Sequence, residues 1–587
     1  MRFFTQVLAT VLGLFIFGFL SFLFFIVIIA AIGGSQSNVK PLTNNTVITL
    51  DLNDITNDYG GKFSFKDFGF TDEETTGLSD VLEGLKNAAT DSQIKGISIL
   101  NSNLNLGMAQ SKSLRDQLVE FKKSGKFIVA YADSYAQKDY YINSIADTIF
   151  LNPVGELELK GLASEVMYFK DFQEKSGIKM EIIRHGKYKS AVEPFLNNEM
   201  SPENREQITS ILQSVWQVVV QDIATSRKLT IDQINSIAEN LSGRTPEKAL
   251  ELKLIDKIAY EDEYHNGIKK ALKLPKDEDY NTISIIDYAK NNALKAPVSE
   301  DAIAVVYAQG IIWGGEGDET YIGEQSLKRA LGSIRKDDNI KAVVLRIDSP
   351  GGSALTSELI WREVELTKQK KPIIVSMGNT AASGGYYIAC GANRIFAEPT
   401  TITGSIGVFG QLPNLAQLSK NLGIKSQLVQ THKNAADYSV FKPIQDNFKE
   451  VVTQSIESVY GTFLKRVADG RKMSIEQVDA VAQGRVWSGA DALKVGLIDE
   501  MGGLDKAIAY AAKMGKLKNY KTVNYPEYKI NFRDYLGSQL DLPIFYSQEK
   551  LLQKTLGAEN YNVIQQLRNS QSRKGIQAIM PFELKFK

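Results

Sequence analysis

The chain has 587 residues, 43% hydrophobic and 23% charged, and its 68 basic and 68 acidic side chains cancel to a net charge of zero. That length holds several domains' worth of globular sequence, and the balanced charge leaves no basic surplus for nucleic acid. One cysteine, Cys390, excludes an internal disulfide and a cysteine zinc cluster, and three histidines, His185, His265 and His432, leave little for a histidine metal site. Hydrolytic chemistry therefore falls to serine, lysine and carboxylates, with no cofactor implied.

In chain order, the first signal is apolar. After Arg2 no charged residue occurs before Lys40. Val7 to Ile32 is 26 residues, almost all Leu, Ile, Phe, Val, Ala and Gly. At ~1.5 Å per residue this crosses a ~30 Å hydrocarbon core with tilt. A cleavable leader has an apolar run of only about 7–15 residues. Residues 1–33 therefore read as an uncleaved transmembrane anchor, with Ala30-Ala31-Ile32-Gly33 as the stretch that could tempt a signal peptidase. Arg2 and the amino terminus favour the inside, with the body outside. Residues 34–45 are polar and aperiodic and read as a short stalk.

The body is a duplicated unit. Phe127-Ile128-Val129-Ala130-Tyr131 sets against Ile373-Ile374-Val375-Ser376-Met377 at an offset of 246 (375 − 129). The same offset places Tyr140-Tyr141 on Tyr386-Tyr387, Pro153 on Pro399 and Gly177-Ile178-Lys179 on Gly423-Ile424-Lys425. Further on it slips to 243, where Leu254-Ile255-Asp256 meets Leu497-Ile498-Asp499. Two copies result, over 46–300 and 301–530, each large enough for its own core. Within a copy, short β-branched runs alternate with longer amphipathic segments. In the second copy these are strand 302–308, helix 322–334, strand 342–347, helix 355–367 and strand 372–377. Later helices fall at 448–467, 475–482 and 504–514. Such alternation predicts βαβ units on a parallel sheet, an α/β fold. Residues 531–587 read as a loosely packed extension, and Gly575–Lys587 as a segment that could reach toward a cleft.

The informative positions are those where the repeat breaks. The strand at 372–377 runs into Asn379-Thr380-Ala381-Ala382-Ser383-Gly384-Gly385 and then a short helical pattern. A serine on such a strand-to-helix turn exposes its hydroxyl, and the helix N-terminus behind it can hold an oxyanion. The competing reading is a tight turn that simply needs small residues. In the first copy Gln137 takes the place of Ser383, and Asn105-Leu106 takes the place of Gly351-Gly352. Conversely, Lys189 of the first copy becomes Ala435 in the second. Each copy thus carries half of a possible Ser–Lys pair, Ser383 in one and Lys189 in the other. The competing reading is drift, with Lys189 a surface lysine. A Ser–His–Asp set of Ser383, His432 and Asp348 is possible on composition but does not explain why the copies lose opposite halves. His265 reads as a solvated surface residue and Cys390 as core packing.

The stretches Asp348–Ser353, Gly378–Tyr387, Thr403–Phe409 and Tyr188–Phe195, with the tandem layout and the amino-terminal anchor, resemble the long, two-repeat members of the signal peptide peptidase A family of Ser–Lys proteases. The likeness covers about 1–530. It implies tandem Clp protease/crotonase-like domains, a nucleophile at Ser383, a general base at Lys189, and Ser405 orienting the lysine amine. It implies peptide substrates, namely signal peptides already cut from their precursors and similar apolar peptides. It also implies a cytoplasmic (inner) membrane location with the catalytic body on the extracytoplasmic, periplasmic side, and a homotetramer. The N–H groups of Gly384 and of Gly352 or Gly351 are the oxyanion candidates. Two other classes stay open: a non-catalytic membrane scaffold, which a serine-directed probe would not label at Ser383, and a crotonase-type acyl-CoA enzyme, which the serine turn and the anchor suit poorly.

Overall fold

The computed structural model describes residues 2–33, then 42–529 apart from 43, 52, 54, 65–72, 75, 102 and 294–298, and finally 576–580. The expected stalk lies almost wholly outside the described residues, as does most of the extension over 531–587. One compact unit spans 1–44 and a second spans 45–587.

The first unit is the helix Arg2–Gly33. Its stretch Arg2–Phe24 has a mean hydropathy of 2.5 and no buried residue, so it is long and apolar enough to cross a bilayer.

The second unit displays the duplication as topology. One sheet runs Lys257–Ile258, Thr148–Leu151, Phe127–Ala132, Ile94–Leu100, Thr46–Thr49, Asn281–Ser284, every neighbour parallel. The other runs Glu500–Met501, Arg394–Ala397, Ile373–Ala382, Ile340–Ser349, Ala302–Gln309, Lys521–Tyr525, again all parallel. Each strand of one sheet has its counterpart at the same place in the other. Parallel strands need helical crossovers and bury both faces, which is why Ala342-Val343-Val344-Leu345 is continuously apolar. Alternate residues serve opposite faces. Val343, Leu345 and Val375 pack with Ile360, Val364 and Phe463, while Val344, Ile374 and Val305 pack with Ala507 and Ala511.

Two departures from sequence expectation matter for the site. Strand Ile373–Ala382 runs five residues past Met377, because Thr380–Ala382 gains a second partner in Ile402–Gly404. Helix Glu324–Ile334 begins two residues later than expected, because Tyr321–Ile322 is a short strand.

A third sheet joins the repeats. Its order is Tyr321–Ile322, Ile311–Ile312, Gly351–Ser353, Gln577–Ile579, Phe409–Asn414, Lys179–Arg184. Strand Lys179–Arg184 of the first repeat thus lies antiparallel on Phe409–Asn414 of the second. Strand Gln577–Ile579 pairs antiparallel with Gly351–Ser353, and Ala578 is fully buried. This part of the extension is therefore built into the body rather than loosely packed.

Candidate active site

Ser383 ends strand Ile373–Ala382 and opens helix Gly384–Ala389. Its φ of 54° and ψ of −114° are costly for a residue with a side chain and persist only where neighbours enforce them. Here the Ser383 N–H donates to the Gly404 carbonyl at 2.8 Å. A Cβ at Gly384 would lie 2.6 Å from Ser357 Oγ, and one at Gly385 would lie 2.6 Å from the Ser349 carbonyl oxygen. The small residues of this turn are thus required by close packing as well as by any chemistry.

Lys189 comes from the other repeat. It follows strand Lys179–Arg184 and the turn at Gly186, and the Tyr188 N–H is anchored on the Gln483 carbonyl at 2.9 Å. Its side chain runs beside two glycines of the second repeat. A Cβ at Gly484 would meet Lys189 Cβ at 2.6 Å, and one at Gly407 would meet Lys189 Cδ at 3.3 Å. The amine Nζ then lies 2.9 Å from Ser383 Oγ, 2.9 Å from Ser405 Oγ and 3.2 Å from the Ser405 carbonyl oxygen.

Lys189, Ser383 and Ser405 are all fully buried. Burial pushes the Lys189 amine well below the ordinary lysine range, because the ammonium form loses its hydration. The contact set suits a neutral amine. Two N–H bonds can donate to the Ser405 hydroxyl and carbonyl oxygens, while the lone pair accepts the Ser383 O–H. Ser405 is itself held in a positive-φ conformation (51°) by its N–H bond to the Arg485 carbonyl at 2.6 Å.

The glycine loop lies against this turn. Gly351 has φ 97°, and a Cβ there would fall 2.6 Å from the Gly384 amide nitrogen. Its own N–H is engaged by Ser349 Oγ at 3.1 Å. Strand Gln577–Ile579 runs along the loop, Gly351 opposite Ile579 and Gly352 opposite Ala578. The structure thus brings Ser383, Lys189, Ser405, Gly351, Gly352 and Gly384 together.

Other groups act on the shape of the site. Asp348 accepts the Thr380 N–H and the Asn379 side-chain amide, both at 2.9 Å. Asn379 Oδ1 in turn accepts the Gln110 N–H of the first repeat at 3.1 Å. Burial, with Asp58 nearby, pushes the Asp348 carboxyl up to about 6. Histidine takes no part. His432 is exposed on Thr431 Oγ1, and His185 stacks on Tyr460 with Nδ1 2.8 Å from Glu457, so no Ser–His–Asp set forms. His265 is half-exposed and bonded to the Tyr280 hydroxyl at 2.7 Å, and Cys390 is buried core. Among the described residues no cluster of side chains suits a metal ion. In the first repeat, Gln137 fills the place of Ser383 by accepting the Lys160 and Gly161 N–H groups at 2.8 and 2.9 Å.

Sequence reasoning missed a buried polar network behind the lysine. Gln207, on helix Pro202–Arg227, donates to the Tyr188 carbonyl at 3.2 Å and to Ser190 Oγ at 2.7 Å. Its Oε1 accepts the Val486 N–H across the repeat boundary at 3.3 Å. Val486 adjoins Arg485, which holds Ser405. Asn204 bonds Ser190 and Gln207, and the fully buried Glu193 carboxylate accepts the Asn204 amide at 2.6 Å. The signal for this network was two amides, Asn204 and Gln207, on the same helix face as Ile208, Ile211 and Val215.

A serine hydroxyl on a strained strand-to-helix turn, with a dehydrated amine as its neighbour and two α/β repeats supplying one each, defines the class of serine hydrolases. Comparison with known proteins narrows it. The profile of Peptidase family S49 matches residues 120–275 and 365–518, once in each repeat. Protease 4 of Salmonella typhi is 34% identical over 513 residues, 84% of this chain and 82% of that protein. Protease 4 of Haemophilus influenzae is 36% identical over 74% of this chain and 72% of its own length. The chloroplastic serine protease SPPA of Arabidopsis thaliana is 34% identical over 77% and 67%. Among solved structures, ClpP1 from Listeria monocytogenes overlaps 34% of this chain and 91% of its own at 16% identity and a TM-score of 0.22, a level that carries no argument. The chain belongs to Peptidase family S49 and is a serine peptidase. Its two equivalent parallel sheets are the tandem Clp protease/crotonase-like α/β domains that the sequence implied.

Proposed function

We propose that this chain is a membrane-anchored endopeptidase that degrades cleaved signal peptides and similar apolar peptides with a Ser383–Lys189 dyad. The supporting observation is the 2.9 Å contact between a fully buried lysine amine and the serine hydroxyl. Serine is a weak nucleophile until a base takes its proton. Lys189, neutral because it is dehydrated, accepts the Ser383 proton as Oγ attacks the scissile carbonyl. The Gly384 N–H, with that of Gly352 or Gly351, meets the developing oxyanion. Lys189 then protonates the leaving amine and activates the water that frees the acyl-enzyme. Ser405 fixes the amine's direction throughout.

Strand Gln577–Ile579 shows how an extended chain fits beside the glycine loop, and a substrate peptide would take the same path by adding a strand. The helix Arg2–Gly33 would hold the body at a membrane where apolar peptides collect, on the periplasmic side of an inner membrane. The enzyme would assemble with copies of itself, four by resemblance. Hydrolysis of a signal-peptide-like substrate by the full chain in detergent tests this. Ser383→Ala and Lys189→Ala are expected to remove turnover while circular dichroism stays unchanged. Retained turnover in either would refute the dyad.

A further inference from the structure

Strand Lys179–Arg184 of the first repeat pairs antiparallel with Phe409–Asn414 of the second, from Phe409 opposite Arg184 to Asn414 opposite Lys179. The repeat offset of 246 maps this pair onto two other stretches. Lys179–Arg184 becomes Lys425-Ser426-Gln427-Leu428-Val429-Gln430, and Phe409–Asn414 becomes Ala163-Ser164-Glu165-Val166-Met167-Tyr168. Within the chain these two do not meet. Among the described residues neither lies in a strand, and neither makes a backbone hydrogen bond. Along 163–168 the side chains alternate between exposed and half-buried, the pattern of a strand resting on a body with one edge free. Apolar side chains stand in solvent at both places, Val429 at 98% exposure and Met167 at 69%. Unpaired backbone beside exposed apolar groups is a template for another strand.

We propose that 425–430 of one copy adds as an antiparallel strand to 163–168 of a second copy, in the register that Lys179–Arg184 takes on Phe409–Asn414. Val429 then stands opposite Ser164 of the second copy, and Lys425 opposite its Tyr168. The proposal rests on the self-association reading above and is independent of the peptidase chemistry. Different patches meet in this contact, so repetition closes a ring or extends a filament. Two kinds of junction then alternate. The one inside each chain joins Lys189 to Ser383. The one between chains brings Ala435 toward Gln137, where neither amine nor hydroxyl exists. Active sites therefore number one per chain.

The test is cysteine cross-linking of the full chain in detergent. Residues directly opposite on antiparallel strands lie about 4.5–5.5 Å apart at Cα, within disulfide reach, whereas partners displaced by two residues do not. Oxidation of S164C/V429C is expected to convert most of the protein into reducible covalent multimers. The displaced pair V166C/V429C and each single variant should stay as single chains, with Cys390 buried and silent. Leu428→Pro, which removes a backbone donor, should convert the native oligomer to monomer while Ser383 still reacts with a fluorophosphonate. A native protein that is monomeric, an oligomer that S164C/V429C fails to link, or an oligomer that survives Leu428→Pro would each overturn the proposal.

Discussion

At the scale of single residues, the account turns on one amine held without water. Lys189 has a depressed affinity for protons, so it is neutral where an exposed lysine is charged. The sign follows directly: general-base activity is present above the folded-state pKa of Lys189 and is lost as pH falls through it. Peptide hydrolysis should therefore climb along an acid limb set by this lysine and stay high below the ordinary lysine range near 10.4. Measuring kcat/KM against pH checks this, and a profile that rises only near 10 would contradict it. Ser383 and Lys189 were legible in sequence because each stands where its own repeat kept a group that the other lost. Ser405 was legible only through family resemblance, since a serine in a Thr-Gly-Ser turn has no local mark of its role. Gln207 was not singled out at all, because its partners at Tyr188, Ser190 and Val486 are brought to it by the fold.

At the scale of elements, two pieces of chain set how well the site is made. The helix Pro202–Arg227 fastens the lysine loop to the second repeat through Gln207. Gln207→Ala would strand the buried Val486 N–H and is expected to cost about 1–3 kcal/mol of stability. The same variant frees the loop that aims Lys189, so kcat should fall with little change in KM. Steady-state kinetics beside thermal melting separate the two effects, and an unchanged kcat would rule out the aiming role. The other element is strand Gln577–Ile579. It lies along the glycine loop where a substrate strand would lie, so the chain carries its own competitor for that place. Removing 575–587 should lower KM for short peptides without loss of kcat, read from initial rates. A raised KM would show that the strand builds the cleft instead. Sequence pattern gave little notice of this element. Its three residues form too short a run for periodicity to mark, and its partners at Gly351–Ser353 lie more than 200 positions away.

At the scale of the whole molecule, duplication followed by division of labour explains the architecture. The two parallel sheets keep the same strand order, so both repeats retain a packed core whether or not they keep a reacting group. Freed from chemistry, the first repeat could lose its serine turn and close that place with Gln137. The second could lose its lysine, since Lys179–Arg184 of its neighbour delivers one from outside. This organisation was readable from the 246-residue offset, but the strand exchange that joins the repeats was not, because spacing alone does not say which copy completes which site.

The most direct measurement is the rate at which a fluorophosphonate modifies the full chain, followed by intact mass and peptide mapping, in the native protein and in Lys189→Ala. The account predicts one adduct per chain, on Ser383, and a fall in labelling rate of about 10²–10⁴ when the amine is removed, the usual span of general-base assistance. An adduct on another residue, or on Ser383 at an unchanged rate in Lys189→Ala, would contradict it.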